Sequence, residues 1–265
     1  MVPNATLRYP GEWFDLGIAL FLGVIIFLVL GALTWGLCCF WGIVGVIVTL
    51  LMVAVANNHL KQVSRRVTVE NEPKLNSLCR NASSRLAMGL PEVYVDGSPE
   101  INAFTRGIVS PVVVLHRGLL DMMDDEELSF VIGHEFGHIK LYHFTIRTMF
   151  DSSIFRVPLI AYLPLLVFRL LFLNGRFSRS MEHSADRAGL YACGDLRKAV
   201  SCMIKLRTGE RKVKKRIVTE AISGSLDLDE DDGYLSEILS THPDLDDRIR
   251  KLVDFSRTSG IGSSE

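Results

Sequence analysis

His134-Glu135-Phe136-Gly137-His138 is the segment of this chain best equipped for chemistry. On a helix, residues four apart share a face, so the imidazoles of His134 and His138 can grip one metal ion together. Glu135 projects beside them, close enough to act as a base on a water held there. Two histidines at this spacing with an intervening glutamate form the zinc-hydrolase pattern H-E-x-x-H. The chemistry it implies is peptide-bond hydrolysis.

The surrounding residues supply the helix. Asp124-x-x-Glu127 is a capping-box pattern at its start. Leu128, Val131, Ile132, Phe136 and Ile139 then recur at helical spacing, which predicts one buried face. Two imidazoles and a carboxylate beside such a face are costly to bury without partners, and a metal ion would supply the compensation.

Catalytic zinc takes three protein ligands and leaves a fourth position open. His143 is the nearest candidate and is rejected as a ligand. The metzincin pattern requires glycine three residues after the second histidine and a ligand six after, where this chain has Leu141 and Phe144; His143 reads instead as a solvated helix-end histidine, with a place behind the ligands as the alternative. The stronger candidate lies in Ser178-Arg179-Ser180-Met181-Glu182-His183-Ser184-Ala185-Asp186. Glu182 and Asp186 are four apart on one helical face. Glu182 can bind the metal while Asp186 accepts the free ring N–H of a ligating histidine. His183 points off that face and reads as a neighbour. One Zn2+ per chain is therefore expected on His134, His138 and Glu182.

The rest of the chain must position these groups. Its 265 residues are 48% hydrophobic with a net charge of −1, which leaves no nucleic-acid footprint. The apolar excess is concentrated: residues 16–56 hold no charged side chain. As one helix they would run roughly 60 Å, about twice the hydrocarbon thickness of a bilayer. Two transmembrane helices are expected within residues 14–56, roughly 14–33 and 37–56, turning at 31–36, after an N-terminal tail, 1–13. The segment is too long for a signal peptide and lacks a basic leader. Lys61, Arg65, Arg66, Lys74, Arg80 and Arg85 follow the second span and only Arg8 precedes the first, so the catalytic part should face the cytoplasm. Five cysteines without metal spacing suit a reducing compartment.

Residues 57–90 read as a helical linker and 91–258 as the catalytic domain. Strands are expected at Glu92-Val93-Tyr94-Val95-Asp96, at 101–106 and at 111–116. Asn102-Ala103-Phe104 is the choice for a free edge that pairs with an extended substrate by strand addition. A second apolar stretch, 157–173, separates the two halves of the metal site. A single crossing would put His138 and Glu182 on opposite sides of the bilayer, so this stretch is expected either to dip into or lie on the cytoplasmic leaflet, with Arg147, Arg156, Arg169, Arg176 and Arg179 suited to anionic headgroups, or to form an ordinary buried helical hairpin. A helix is expected over 187–207, burying Leu190, Ala199, Met203 and Leu206. The charge-segregated residues 211–232 read as a surface loop; the glycine of a calcium loop is one place late there and the twelfth position is Ile238, so that site is rejected. A last helix opens near Ser240, and 259–265 reads as a disordered tail.

Taken together, the chain resembles the membrane-bound gluzincins that include the HtpX heat-shock proteases and the CAAX prenyl endopeptidases. The matching segments are Asn102-Ala103-Phe104, Gly118-Leu119-Leu120, His134-Glu135-x-x-His138, Ser178-Arg179-x-x-Glu182-x-x-Ala185-Asp186 and Thr241-His242-Pro243-x-x-x-x-Arg248. They occur in the family's order over about residues 90–250. The resemblance implies an α+β, mainly helical, gluzincin-type zinc protease domain with a small β-sheet behind a transmembrane hairpin. It implies Glu182 as third ligand, the Asn-Ala-Phe strand as border of the substrate cleft, and His242 and Arg248 near the developing oxyanion. Expected substrates are membrane-associated or misfolded polypeptides, with membrane lipid as the other partner, at a bacterial inner membrane. The alternatives are prenyl-protein processing, separable by comparing a prenylated peptide with its bare counterpart, and a scaffold with structural zinc. The chain departs from the family in two ways. Its inter-motif segment is less hydrophobic than HtpX's pair of spans, and it has too few spans for the chamber of the CAAX enzymes.

Overall fold

The computed structural model describes residues 7–9, 12–33, 64–107, 110–143, 176–224 and 245–262, with scattered positions between 44 and 62. In chain order these form α1 (Glu12–Leu33), β1 (Arg65–Arg66), α2 (Pro73–Arg85), β2 (Glu92–Asp96), β3 (Ala103–Arg106), β4 (Val112–His116), α3 (Arg117–Met122), α4 (Asp125–Lys140), α5 (Arg176–Cys193), α6 (Leu196–Thr208), α7 (Lys215–Ser223) and α8 (Leu245–Ser259). The architecture is mainly helical with one small mixed sheet.

The sheet runs β1-β2-β4-β3. β2 and β4 pair in parallel from Glu92↔Val112 to Asp96↔His116, while β3 lies antiparallel to β4 with Ala103 opposite Leu115. The unbroken apolar run of β4 suits a strand buried on both faces, and all five of its residues are buried. Alternation along the strands sorts the faces. Val93, Val95, Val113 and Leu115 join the main helical core; Tyr94, Val112 and Val114 form a separate cluster with Phe104.

α4 is the central helix. Asp124 and Glu127 exchange the two capping-box hydrogen bonds, each 3.0 Å long, which stabilise the helix start by about 1 kcal/mol. Asp125, Glu126 and Glu127 in the first turn complement the helix dipole. Glu127 is buried and fully engaged: Lys205 of α6 donates to it at 2.6 Å and Ser201 at 2.8 Å. Leu128, Val131, Ile132 and Phe136 are buried, and Ile139 packs against the same core.

Several boundaries differ from the sequence expectation. The stretch 57–90 is not simply a linker. β1 adds to β2, and α2, opened by Pro73 and burying Leu75, Cys79 and Ala82, packs on α4 and α5. Arg85 donates to the last carbonyls of α5, Ala192 O at 3.0 Å and Cys193 O at 3.1 Å, where a cation also suits the helix dipole. The helix expected over 187–207 is two helices. Gly194 adopts φ +77 and Asp195 caps α6 by accepting from Lys198 N; only glycine takes that left-handed turn without strain. Leu206 is exposed, unlike Leu190, Ala199 and Met203. Part of the 211–232 loop is helix α7, which buries Val218 and Ala221. Residues 260–262 are docked, with Leu196 N donating to Gly262 O and Ser256 Oγ to Ile261 O.

The N-terminal tail is also docked at residues 7–9. Leu7 is fully buried, Arg8 donates to Leu141 O, Tyr9 N donates to Ser184 Oγ at 2.8 Å, and Arg187 donates to Arg8 O. α1 follows, 22 residues long, with Trp13, Phe14, Phe21, Val24, Leu28 and Val29 among its exposed side chains. Judged on the described side chains alone, no helix is long and apolar enough to cross a membrane, so the expected hairpin is not shown. Its turn and most of its second limb lie outside the described residues, as do 157–173. Cys79, Cys193 and Cys202 are free; burial pushes the Cys79 and Cys193 thiols up to about 12, which disfavours the thiolate.

Replacing Glu127 by alanine strands the Lys205 ammonium, itself buried. The expected loss is on the order of 3–5 kcal/mol, read from denaturant unfolding of the purified protein.

Candidate metal centre

The site is assembled where α4 crosses α5, and the seam between them is built of small residues. A Cβ on Gly133 would sit 2.3 Å from Ala192 Cβ, and one on Gly137 would sit 2.5 Å from Ala188 Cβ. A Cβ on Gly189 would meet Phe130 at 2.8 Å. No real side chains approach so closely, so these glycines are what allow the two backbones to touch. The contact brings Glu182 and Asp186 of α5 under the histidines of α4.

His134 Nε2 and His138 Nε2 lie 3.2 Å apart. Glu182 supplies Oε2 at 3.5 Å from the first and Oε1 at 3.7 Å from the second. Ligand atoms around a four-coordinate divalent ion, with bonds of roughly 2.0–2.2 Å, are spaced about 3.3–3.6 Å. All three groups converge lone pairs on one point, and among the described residues they form the one His/Cys/Asp/Glu group able to hold a metal ion. Two imidazole nitrogens and a carboxylate at this spacing are a donor set that fits a divalent metal.

The ring orientations are fixed from behind. Asp186 Oδ1 lies 3.0 Å from His134 Nδ1. Asp186 is itself held by Arg248 of α8, whose Nε donates to Oδ2 at 2.7 Å and Nη2 to Oδ1 at 2.5 Å. Two Arg248 donors are therefore committed to Asp186, and its Nη1 is 3.8 Å from Glu182 Oε2. Burial of Asp186 disfavours its charge, but Arg248 and then His134 outweigh it and hold the carboxyl below its usual range. Burial likewise opposes charge on His134, yet the hydrogen bonds and charges of Asp186 and Glu182 together raise it to about 9 in the metal-free chain.

Glu135 is buried on the side of α4 that faces β3, and Thr105 Oγ1 donates to its Oε2 at 2.7 Å. Thr105 was missed by sequence reasoning. Alternation puts Ala103 and Thr105 on the core face of β3, whereas Phe104 turns to the opposite cluster, edge-on to His116. Asn102 uses its carbonyl to accept from His116 N. β3 ends the sheet among the described residues. His183 points away from the convergent donors, toward Asp247 Oδ2 at 3.2 Å. His143 is buried rather than solvated, with Nδ1 3.1 Å from His138 Nδ1. His242 lies outside the described residues. The glycine seam did leave a sequence signal, Gly133-x-x-x-Gly137 facing Ala185, Ala188, Gly189 and Ala192, but nothing in either helix alone says that they meet.

Gly137→Ala should push the helices apart, costing about 1–3 kcal/mol and weakening divalent-metal binding; unfolding and metal titration check both. A pH dependence follows from His134. The proton it keeps in the folded metal-free chain stabilises that fold fully below about pH 6.5 and is lost as pH rises through about 9. A cation competes for the same lone pair, so apparent metal affinity should climb with pH up to about 9, as measured by chelator competition at a series of pH values.

Comparison with known proteins agrees with this geometry. A sequence profile of Peptidase family M48 matches residues 69–256. Protease HtpX homolog of Tropheryma whipplei (strain Twist) is 26% identical over 224 residues, 72% of this chain and 76% of the relative. Protease HtpX homolog of Dictyoglomus thermophilum is 28% identical over 250 residues, 78% and 81% of the two chains. The chloroplastic Plastoglobule-localized metallopeptidase 48 of Arabidopsis thaliana is 30% identical over 152 residues, 56% of this chain and 44% of that one. In fold, the chain is similar to the crystal structure of S. mikatae Ste24p, with a TM-score of 0.51 and 19% identity over 89% of this chain; it spans 62% of that structure's length. With two imidazoles and a carboxylate converging inside the matched region, this chain belongs to peptidase family M48 and is a metallopeptidase that hydrolyses peptide bonds.

Proposed function

We propose that the chain is a membrane-anchored zinc endopeptidase that cuts membrane-associated or misfolded polypeptides at the cytoplasmic face of a bacterial inner membrane. The observation that carries the reading is the convergence of His134 Nε2, His138 Nε2 and the Glu182 carboxylate at 3.2–3.7 Å. Two nitrogens and one oxygen suit zinc, and three protein ligands leave a position for substrate. When bound there, zinc polarises the scissile carbonyl and makes an attacking water acidic.

The remaining work falls to side chains. Glu135 takes the proton of the attacking water and delivers it to the leaving amine. Thr105 holds one oxygen of Glu135 at 2.7 Å and so fixes which way the base points. Asp186 sets the His134 ring and its tautomer. Arg248 holds Asp186 with two of its donors, and with His242 it steadies the developing oxyanion. The outer edge of β3 pairs with an extended substrate backbone, with Asn102 just before the strand, Ala103 and Phe104 at its start and Thr105 the contact with the base.

Membrane anchoring is supported by the exposed apolar side chains of α1 and by the uncharged run 16–56. The basic residues after that run favour the cytoplasmic side. The relatives' printed name, Protease HtpX homolog, supports a polypeptide substrate.

Glu135→Gln should keep one zinc per chain and lose at least about 100-fold in casein cleavage, with chelator abolishing cleavage by the native protein. Full proteolysis by the variant would remove Glu135 as the base. Chelator-resistant cleavage would remove the metal mechanism.

A further inference from the structure

His143 follows a turn that needs explaining. α4 ends at Lys140, Leu141 caps it, and Tyr142 adopts φ +64 while standing exposed to solvent. A bulky residue in the left-handed region is strained unless the surrounding structure demands it, and such residues gather at functional sites. Here the reversal returns the chain so that the next side chain, His143, tucks beneath the last turn of the helix. Its ring is buried beside that of His138, with centroids 5.3 Å apart and the two Nδ1 atoms at 3.1 Å.

A hydrogen bond between two ring nitrogens needs one N–H and one lone pair. Taking His138 as a metal ligand, as proposed above, its Nε2 lone pair is turned toward His134 and Glu182. Its hydrogen must then sit on Nδ1, and the neighbouring nitrogen must accept. We infer that His143 is a positioning residue for the metal centre: its Nδ1 accepts the Nδ1–H of His138 and fixes that ring, as Asp186 fixes His134. The two histidine ligands are thus oriented by chemically different partners. Asp186 is an anion reached across the helix seam and shared with Arg248; His143 is an imidazole supplied from the same segment as its client, five residues on.

The partners behind ligating histidines govern affinity as well as geometry. The full-length protein in detergent, loaded with one equivalent of zinc or cobalt, provides the test. His143→Leu fills the space without an acceptor and should weaken zinc binding 10–100-fold in chelator competition and shift the cobalt ligand-field bands. His143→Asn, whose amide oxygen can accept, should recover most of that loss. Native affinity and an unchanged cobalt spectrum in the leucine variant would overturn the inference, as would equal weakening in both variants. The native protein supplies a readout that needs no variant: in nitrogen-15 histidine spectra of the zinc form, His143 should carry its hydrogen on Nε2, and an Nδ1–H tautomer would overturn the role. Failure of the metal site itself looks different, because the native chain would then bind no stoichiometric metal.

Discussion

Backbone contact between α4 and α5 is the constraint from which the site follows. Two helices with ordinary side chains between them sit 8–10 Å apart. Here Gly133, Gly137 and Gly189 face Ala192, Ala188 and Phe130, with no room for a further carbon. That close approach sets the Glu182 carboxylate within 3.5–3.7 Å of the two histidine Nε2 atoms. The ligands are a product of the seam, and the seam is a product of residues with no chemistry of their own.

Burying so many ionisable groups needs compensation, and it is arranged at both ends of α4. At the N-terminus, Glu127 collects Lys205, Ser201 and the Asp124 amide. Near the C-terminal half, the chain Arg248–Asp186–His134 links α8, α5 and α4 in one line of charge-assisted hydrogen bonds. Each removes a cost that would otherwise expel water-loving groups from the core. The same bonds tie the helices to one another, so the rigidity of the centre and the satisfaction of its polar groups have a single cause. Arg248 belongs to this framework through its bidentate grip on Asp186.

The N-terminal residues join the framework from outside. Tyr9 hydrogen-bonds Ser184, its ring packs on His183 at 4.9 Å, and Arg187 lies over it at 5.2 Å. Ser184 is two residues from Glu182. The residues just before α1 are thus docked on α5, the helix that carries Glu182.

Local spacing along the chain determined a good deal. The capping box of α4, its buried stripe, the pairing of His134 with His138 and of Glu182 with Asp186, and the three strands of the sheet are consequences of helical and strand periodicity, which is written within a few residues. Charge balance and the apolar run 16–56 likewise need no structure to be read. What sequence could not decide were relations across long separations. Thr105 meets Glu135, Arg248 meets Asp186, Lys205 meets Glu127 and Tyr9 meets Ser184 only after the helices pack. The break at Gly194 and the reversal at Tyr142 were hidden for another reason: a left-handed residue is a matter of backbone angle, and neighbouring letters do not fix it. His143 shows the difference most plainly. Counting along the chain sets it off the metzincin ligand position, but only the folded turn puts its ring beside His138. Periodicity chooses which side chains share a face; packing chooses what that face meets.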